Sequence, residues 1–376
     1  MLFKDSILQI ESTDFCNLRC VMCPPHRDKK SNKVHGNKEP CYISFELFRK
    51  IMDSIRENDM YFETIALHWM GEPFLHPSLI DMLKYALENN SINFGEIRCD
   101  TNFNLLTPEL IERILDIATP KLSFTLSLDS TSKETYEKIR CNGNFDSVMK
   151  NIQYLVLQRH FRRKGEPNLL FQFVVQDLNC NQAKDFVEYW SKFPNLTADD
   201  SISLVIKSVG TGGEEQEKSD RLYHETLKKF GIKAGEQNCV RVNLTQEALW
   251  GGGEKRGPCP ALWKTPVICS DGRLTSCCAD ICLELSVADM NEDDFFKAWS
   301  FGENINYYRF LHLLGDFESI PSCKNCNNLN WRILTKKDIK QYLTSLDSSV
   351  VSRVFDKIRL NYSLGSDPSL DSINPK

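Results

Sequence analysis

The 376-residue sequence lacks the features that mark membrane, secreted and nucleic-acid-binding proteins. It has no apolar stretch near the roughly 18 residues of a membrane-spanning helix. Its N-terminal segment carries Lys4 and Asp5, and it has no apolar run long enough for a signal peptide. The formal net charge is −5, so no global basic field indicates nucleic acid or an anionic membrane as a partner. We therefore expect a cytoplasmic protein with neither partner.

Cysteine, in contrast, is abundant, with 15 residues. A disulfide framework is not expected in reducing cytosol, so this number favours metal or redox chemistry, although some cysteines will be small core side chains. Two groups stand out. They are Cys16, Cys20 and Cys23 in "CNLRCVMC", and Cys259, Cys269, Cys277, Cys278 and Cys282, which Cys323 and Cys326 follow in "PSCKNCNN".

The first part of the chain alternates predicted strands and helices. The strands are short apolar, β-branched runs, typical of strands buried on both faces, and amphipathic helices separate them. One helix is predicted to begin with Thr107 as N-cap and Pro108 at its first position. Six such units predict a parallel sheet curled into a partial (β/α)6 TIM-like barrel, because the pattern stops near residue 210, short of eight units. The predicted strands are 6–11, 64–69, 96–101, 122–129, 169–176 and 202–209.

Cys16, Cys20 and Cys23 follow the first predicted strand directly. Active sites of parallel α/β sheets are built in the loops after the carboxyl ends of the strands. Three thiolates in one loop suit an iron–sulfur cluster that keeps one iron open to a small molecule. Two alternatives are a zinc site completed by a distant His or Cys, and unliganded core cysteines.

The spacing C-x-x-x-C-x-x-C after the first strand resembles the signature of the radical S-adenosylmethionine superfamily. The resemblance implies that Cys16, Cys20 and Cys23 hold a 4Fe-4S cluster whose open iron is chelated by S-adenosylmethionine. It also implies reductive cleavage of that cofactor to a 5'-deoxyadenosyl radical, which abstracts a hydrogen atom from a substrate. An external electron donor of the flavodoxin or ferredoxin type would then be a partner.

Segments after the second and third strands are similar to cofactor-binding elements of the same superfamily. "MGEP" places Gly71, Glu72 and Pro73 like the family's glycine–glycine–glutamate element, with a methionine where the first glycine stands. The resemblance implies that Glu72 accepts from a ligand ammonium while Gly71 lets the backbone approach it. "DTNFN" similarly places Asn102 after the third strand, with Phe103 in place of the family's glycine.

The segment "SLDSTSKETYEKIR" after the fourth strand resembles the family's Ser-Leu-Asp-Gly element. It implies that Ser127 or Asp129 binds the ribose hydroxyls of the cofactor and that Arg140 binds its carboxylate. Each residue also has a structural alternative. Asp129 and Ser130 would serve as caps of the next helix, and Arg140 would be a solvated helix residue.

The second cysteine group resembles the auxiliary-cluster domain called SPASM or, in its short form, Twitch. "SDGRL" is a hairpin turn signal between Cys259 and Cys277. With Cys323 and Cys326 these residues make a four-thiolate set for one auxiliary 4Fe-4S cluster, because no cysteine follows Cys326 to complete the longer SPASM form. A structural zinc site is the alternative. The C-terminal layout is similar to that of 2-deoxy-scyllo-inosamine dehydrogenase.

The changes of sequence texture predict three segments: a barrel over 1–235, an auxiliary-cluster domain over 236–335, and a C-terminal helix with a frayed tail over 336–376. For Cys278 and Cys282, packing and alternative ligation both stay open. The first predicted strand begins by residue 6, so we expect no N-terminal peptide-binding domain ahead of it. This expectation favours a small substrate. For the basic run at 26–38 we expect a solvated loop, and the alternative is a contact for a phosphorylated or nucleotide-linked substrate.

The resemblance implies a reaction class. An auxiliary cluster often accepts the second electron when a hydroxyl-bearing carbon is oxidised, so we expect dehydrogenation of a small polar substrate such as a sugar or aminocyclitol. Alternatives are epimerisation, with Cys141 as a conceivable hydrogen donor or else an ordinary packed thiol, and modification of a peptide. A non-enzymatic iron–sulfur or zinc scaffold is the alternative outside enzymes.

Overall fold

The structure is a computed structural model. It describes residues 6–23, 41–207, 214–233, 240–242, 257–324, 326 and 334–346. The predicted basic loop at 26–38 and most of the predicted C-terminal tail lie outside these residues.

Ten described strands form one sheet, and seven of them run parallel in chain order. The predicted parallel α/β partial barrel is confirmed, and each of the six predicted strands has its counterpart in β1 to β6. The three-residue strand β7 was not predicted. The parallel strands are β1 (Ile7–Ile10), β2 (Phe62–Ala66), β3 (Phe94–Thr101), β4 (Leu122–Ser127), β5 (Asn168–Val175), β6 (Ser201–Ile206) and β7 (Val240–Val242).

The helices of the barrel begin where the sequence supplies caps. The Thr107 side chain accepts from the Leu110 amide, with Pro108 in the first turn, as predicted. The Asn144 side chain caps the 17-residue helix α5 by accepting from the Ser147 amide. The helices are α1 (Phe45–Glu57), α2 (Leu79–Asn89), α3 (Pro108–Ile117), α4 (Lys133–Ile139), α5 (Phe145–Phe161), α6 (Ala183–Ser191) and α7 (Glu214–Phe230).

Side-chain alternation gives the parallel sheet two different faces. On β4, Leu122, Phe124 and Leu126 are fully buried in the hydrophobic core, whereas Ser123 and Thr125 point to the opposite face. The face that carries the leucines packs against the helices. The opposite, polar face is the inner wall of the partial barrel.

The C-terminal segment extends the same sheet instead of standing apart from it. Strand β8 (Val267–Ile268) pairs parallel with β1, and β9 (Arg273–Thr275) and β10 (Ser286–Asp289) continue antiparallel. The predicted hairpin turn is present between β8 and β9, where Gly272 has a φ of +96°, a backbone conformation that favours glycine. The remaining helices are α8 (Ala261–Lys264), α9 (Phe295–Phe301), α10 (Glu303–Leu314), α11 (Pro321–Lys324) and α12 (Lys336–Ser345).

Glu11, at the end of β1, fastens the C-terminal segment to the barrel. Its side chain is fully buried. One carboxylate oxygen accepts from the Met70 amide at 3.2 Å, and the other accepts from the amide and the hydroxyl of Ser270 at 3.1 and 3.0 Å. A buried carboxylate with these donors joins the edge of β1 to the loop after β2 and to the hairpin.

We expect Glu11→Ala to lower the free energy of unfolding by about 3 kcal/mol, because buried donors of Met70 and Ser270 would lose their acceptor. Urea unfolding of both proteins measures the difference. Glu57→Ala, at an exposed helix end, is the control and should stay within about 0.5 kcal/mol of the parent. Equal losses in the two variants would contradict the fastening role of Glu11.

In the described part of the chain, no helix combines the length and apolar character that crossing a membrane requires.

Candidate active site

The loop from Cys16 to Cys23 follows the carboxyl end of β1, and hydrogen bonds just before it and within it hold its backbone in place. Before it, an Asp14 carboxylate oxygen accepts from the Cys41 amide at 2.7 Å. Within it, the Arg19 amide donates to the Cys141 carbonyl and the Val21 amide to the Ile139 carbonyl, both at 2.9 Å. The end of α4 therefore holds the backbone of this loop, and the Cys141 position contributes through its carbonyl.

The three thiols of this loop influence one another. Burial and then the Glu72 carboxylate raise the pKa of Cys16 to about 12, and the charges of Cys20 and Cys23 add to the rise. The Leu18 amide donates to the Cys16 sulfur at 3.5 Å, which favours the thiolate. Thiolates that repel one another are stabilised by a positive centre among them. The donor set therefore fits an iron–sulfur group, whose irons supply that charge and whose sulfurs accept amide hydrogen bonds.

Gly71 and Glu72 lie directly against the cysteine loop. The Glu72 amide donates to the Phe15 carbonyl at 2.8 Å. A Cβ on Gly71 would lie 2.0 Å from the Thr13 carbonyl oxygen, so only glycine fits this approach. Pro73 follows at the start of a short 3₁₀ turn, Pro73–Leu75. The loop after β2 thus sets the position of the cysteine loop through backbone contact.

The Glu72 carboxylate joins the ends of β2 and β3. It accepts from the Thr101 hydroxyl at 2.6 Å, from the Asn102 amide at 2.8 Å and from the Phe74 amide at 3.2 Å. Burial raises the pKa of Glu72 to about 7, against the opposing effect of these donors. A cationic ligand group would favour its ionised form. The geometry suits a carboxylate that is held ready for such a group.

The turn after β3 contacts the cysteine loop through amide side chains. The Asn102 side-chain nitrogen donates to the side-chain oxygen Oδ1 of Asn17 at 2.8 Å. Phe103 is fully buried at a φ of +60°, the left-handed region that favours glycine. This is the position where the sequence departs from the family's glycine. A phenyl ring packed in the core accompanies the strained backbone here.

Asp129 and Arg140 form a buried pair after β4, while Ser127 ends that strand half-buried. The guanidinium contacts one Asp129 oxygen at 2.6 and 2.7 Å, and the other oxygen accepts from the Val174 amide at 2.7 Å. The prediction that Asp129 and Ser130 cap the next helix is wrong, because Ser132 caps α4. Nor is Arg140 solvated: it is 8% exposed.

The second cysteine group also comes together in space. Burial raises the pKa of Cys259 to about 12, and the charges of Cys326, Cys323 and Cys278 contribute to the rise. Burial likewise raises the pKa of Cys277, with contributions from Cys278, Cys259 and Cys323. Cys282, in contrast, is exposed. The four cysteines singled out from the sequence are therefore neighbours, with Cys278 as a fifth member of the group.

Backbone amides point at sulfur in this group as well. The Ala279 amide donates to the Cys277 sulfur at 3.4 Å, and the Ala261 amide lowers the pKa of Cys259 in the same way. The donor set thus fits a thiolate-ligated cluster here too. Within the described residues, no three His, Cys, Asp or Glu side chains lie close enough to hold a single metal ion.

The loop after β2 connects the two cysteine groups. The Trp69 indole nitrogen donates to the Cys278 carbonyl at 3.0 Å. Two residues later, Gly71 packs against the backbone before Cys16. One short loop therefore contacts both candidate cluster sites.

A group of charged side chains on the inner wall of the barrel was not identified from the sequence. Glu96, Arg98 and Asp100 alternate along β3, and the Arg98 Nε donates to Asp100 at 2.9 Å. His68 contacts the same carboxylate at 3.0 Å. Burial would raise the pKa of Asp100, but the charges of Arg98 and His68 outweigh it and hold the pKa below its ordinary value. The signal was present in "EIRCD", where charges occupy every second position of a buried strand.

The remaining candidate thiol, Cys141, is half-buried, and its sulfur lies 3.4 Å from the Lys138 carbonyl.

The comparisons with known proteins agree with this arrangement. Residues 10–158 match the model of the Radical SAM superfamily. The chain is 28% identical over 188 residues to GTP 3',8-cyclase of Desulforamulus reducens, covering 50% of this chain and 52% of that protein. It is 25% identical over 183 residues to the mycofactocin maturase MftC of Mycobacterium tuberculosis, covering 49% and 41%. The chain thus spans about half the length of these curated relatives.

A similar fold occurs in SuiB of Streptococcus suis, whose crystal structure contains bound S-adenosylmethionine. The TM-score is 0.58 at 15% sequence identity, and the match covers 85% of this chain and 70% of SuiB. At that identity the likeness concerns the fold alone.

Proposed function

We propose that this chain, which carries a radical SAM domain over residues 10–158, is an enzyme that cleaves S-adenosylmethionine and abstracts hydrogen from a small polar substrate. The observation that carries the proposal is the meeting of three elements at one edge of the sheet. They are the loop of Cys16, Cys20 and Cys23, the loop of Gly71 and Glu72, and the turn of Asn102.

Cys16, Cys20 and Cys23 would hold a 4Fe-4S cluster, and Glu72 would receive the ammonium of the cofactor. The chemistry that this pair of groups would supply is one-electron reductive cleavage of S-adenosylmethionine to methionine and a 5'-deoxyadenosyl radical, which would remove a hydrogen atom from the substrate. Gly71 and Pro73 shape the approach to the carboxylate. Asn102 and Ser127 are the polar side chains at the neighbouring strand ends for the rest of the cofactor.

Cys259, Cys277, Cys323 and Cys326 would hold an auxiliary 4Fe-4S cluster in the Twitch manner. Oxidation of a hydroxyl-bearing carbon removes one hydrogen atom, one proton and one further electron. The hydrogen atom goes to the adenosyl carbon, the proton to solvent or a base, and the electron to the auxiliary site. We therefore propose two-electron dehydrogenation as the reaction. A flavodoxin- or ferredoxin-type protein would supply the reducing electron.

The carboxylates on the inner wall of the barrel are the basis for proposing a polyhydroxylated substrate without phosphate. Strand β3 presents two carboxylates, Glu96 and Asp100, and one guanidinium, Arg98, on its inner face, and His68 contacts Asp100. The side chains of Glu96, Asp100 and Arg98 are 34, 23 and 21% exposed, which leaves them within reach of a ligand. Carboxylates accept from hydroxyl and ammonium groups and repel a phosphate. Sugars and aminocyclitols match that wall.

Anaerobic reconstitution tests the proposal. We expect about eight irons per chain, as two four-iron clusters require, and formation of 5'-deoxyadenosine with dithionite and S-adenosylmethionine. Incubation with a panel of sugars and aminocyclitols should give a product two hydrogens lighter. Fully loaded protein that forms no 5'-deoxyadenosine would overturn the proposal and favour a non-catalytic scaffold. Solvent deuterium in the product would indicate epimerisation instead.

A second candidate is modification of a peptide, which the similarity to the maturase MftC favours. The same assay separates the two. Substrate-dependent 5'-deoxyadenosine formation with a peptide, and none with the small-molecule panel, would establish the maturase reaction.

We expect Asp100→Asn to raise the KM of the oxidised small molecule about tenfold, because a charged hydrogen-bond acceptor becomes neutral. Formation of 5'-deoxyadenosine without substrate should stay unchanged, since Asp100 contacts Arg98 and His68 and not the cysteine loop. Steady-state kinetics of product formation measure the effect. Glu63→Gln, exposed on β2, is the matched control. An unchanged KM in Asp100→Asn would argue against substrate binding at this wall.

A further inference from the structure

Arg140 contacts a cysteine of the first group as well as Asp129. Its Nη1 lies 3.7 Å from the Cys20 sulfur, within hydrogen-bond range for sulfur. All three side chains are buried: Cys20 is 6% exposed, Asp129 is 0% exposed and Arg140 is 8% exposed. A guanidinium therefore points at a thiol in a region from which water is largely excluded, where a charge-assisted hydrogen bond is strong.

The position of Arg140 is fixed from the side away from the thiol. Asp129 binds the guanidinium through one oxygen, and its other oxygen accepts from the Val174 amide of β5. The Asn179 side chain donates to the Asp129 carbonyl at 2.9 Å. Asp129 is thus anchored to the neighbouring strand, and it aims the guanidinium at Cys20.

A second buried arginine–aspartate pair in the barrel, Arg159 and Asp200, serves as a comparison for Arg140 and Asp129. Arg159 donates to both oxygens of Asp200, at 2.5 and 2.9 Å, and also to the Pro167 carbonyl. It is 1% exposed. These partners are oxygen atoms of residues that precede β5 and β6, at the opposite ends of the strands. The Arg140 pair differs because one arm of its guanidinium goes to a sulfur.

We propose that Arg140 is a positioning residue that raises the reduction potential of the first cluster by donating a hydrogen bond to the sulfur of Cys20, with Asp129 holding it in place. The proposal rests on the proposed function in one respect, that Cys20 is a cluster ligand.

The physical reason lies in the charge added on reduction. One electron from a reductant such as dithionite makes the cluster and its ligand sulfurs more negative. A fixed cation at the Cys20 sulfur stabilises that state more than the oxidised one, so reduction becomes easier. The Asp129 carboxylate is farther from the sulfur than the guanidinium that it holds and offsets part of this effect.

The test is a redox titration of the reconstituted protein, followed by electron paramagnetic resonance. The signal of the first cluster is identified as the one that a Cys20→Ala variant loses. In Arg140→Gln we expect the equilibrium constant for reduction of the first cluster to fall about tenfold. For a one-electron couple this lowers the reduction potential by about 59 mV. Asp129→Asn should shift the potential in the opposite direction, since it removes an anion and keeps the cation.

Arg159→Gln is the matched control and should leave the potential at the parent value, although it removes an equally buried ion pair. Should Arg140→Gln fail to bind three or more irons at the first site, the shift in Asp129→Asn decides alone. Parent-like potentials in the loadable variants would overturn the proposal. The titration is independent of catalysis, so loss of 5'-deoxyadenosine formation with an unchanged potential would count against this proposal and leave the proposed function standing.

Discussion

Replacing Gly71 by alanine should abolish cofactor cleavage while the auxiliary cluster site stays loaded. The new Cβ would lie 2.0 Å from the Thr13 carbonyl oxygen and 2.7 Å from the Phe15 carbonyl oxygen, both backbone atoms that no rotamer change can move. Either the loop after β2 or the cysteine loop must shift. We expect formation of 5'-deoxyadenosine to fall about 100-fold or more, as misplacement by about 1 Å costs in other active sites.

Iron content shows where the damage lies. We expect the cysteine loop to shift, because the atoms that the added Cβ would meet belong to Thr13 and Phe15, just before Cys16. Trp69 would then keep its contact with the Cys278 carbonyl, and the Gly71→Ala protein should retain about four irons of eight. Gly165→Ala is the matched control, since its added Cβ would meet only the Thr197 side chain at 3.9 Å, an ordinary contact. Full iron loading with parent-like 5'-deoxyadenosine formation in Gly71→Ala would show that the tight approach is not required.

Local pattern was sufficient for the elements and for the position of the first cysteine loop. The buried run of β4 was predicted over 122–129 and extends over Leu122–Ser127. Thr107 and Pro108 begin α3 as their chemistry indicates. The cysteine loop follows β1, so its place at the carboxyl edge follows from the parallel sheet alone. These features depend on a few adjacent residues, which is why a single sequence reveals them.

Features that depend on distant partners could not be predicted. Gln9 of β1 pairs with Val267 of β8, and no local pattern records which edge a two-residue strand will join. The contact of Arg140 with Cys20 is of the same kind, because it needs the end of α4 to lie against the cysteine loop. The charges of β3 were legible in the alternation of "EIRCD", but the run was classified by its apolar residues.

The second large effect should separate cofactor cleavage from substrate oxidation. In Cys259→Ala we expect 5'-deoxyadenosine to form at nearly the parent rate while oxidised product falls about 100-fold, because the auxiliary site would lack a ligand and could not accept the second electron. The first cysteine loop should be unaffected, since it is held by contacts with Gly71, Asn102 and the end of α4. Mass spectrometry of both products in one reaction measures the ratio.

Cys282→Ala is the matched control, because it removes an exposed thiol from the same segment. Its ratio of product to 5'-deoxyadenosine should equal that of the parent. Cys278→Ala tests whether Cys278 is a ligand of the auxiliary site or a packed thiol. If Cys278 replaced one of the four assigned ligands, its loss would uncouple the reaction as strongly as loss of Cys259, whereas a packed thiol would leave the ratio unchanged. Product formation that persists in Cys259→Ala would mean that the second electron leaves by another route. The second cysteine group would then not be the electron acceptor that we propose.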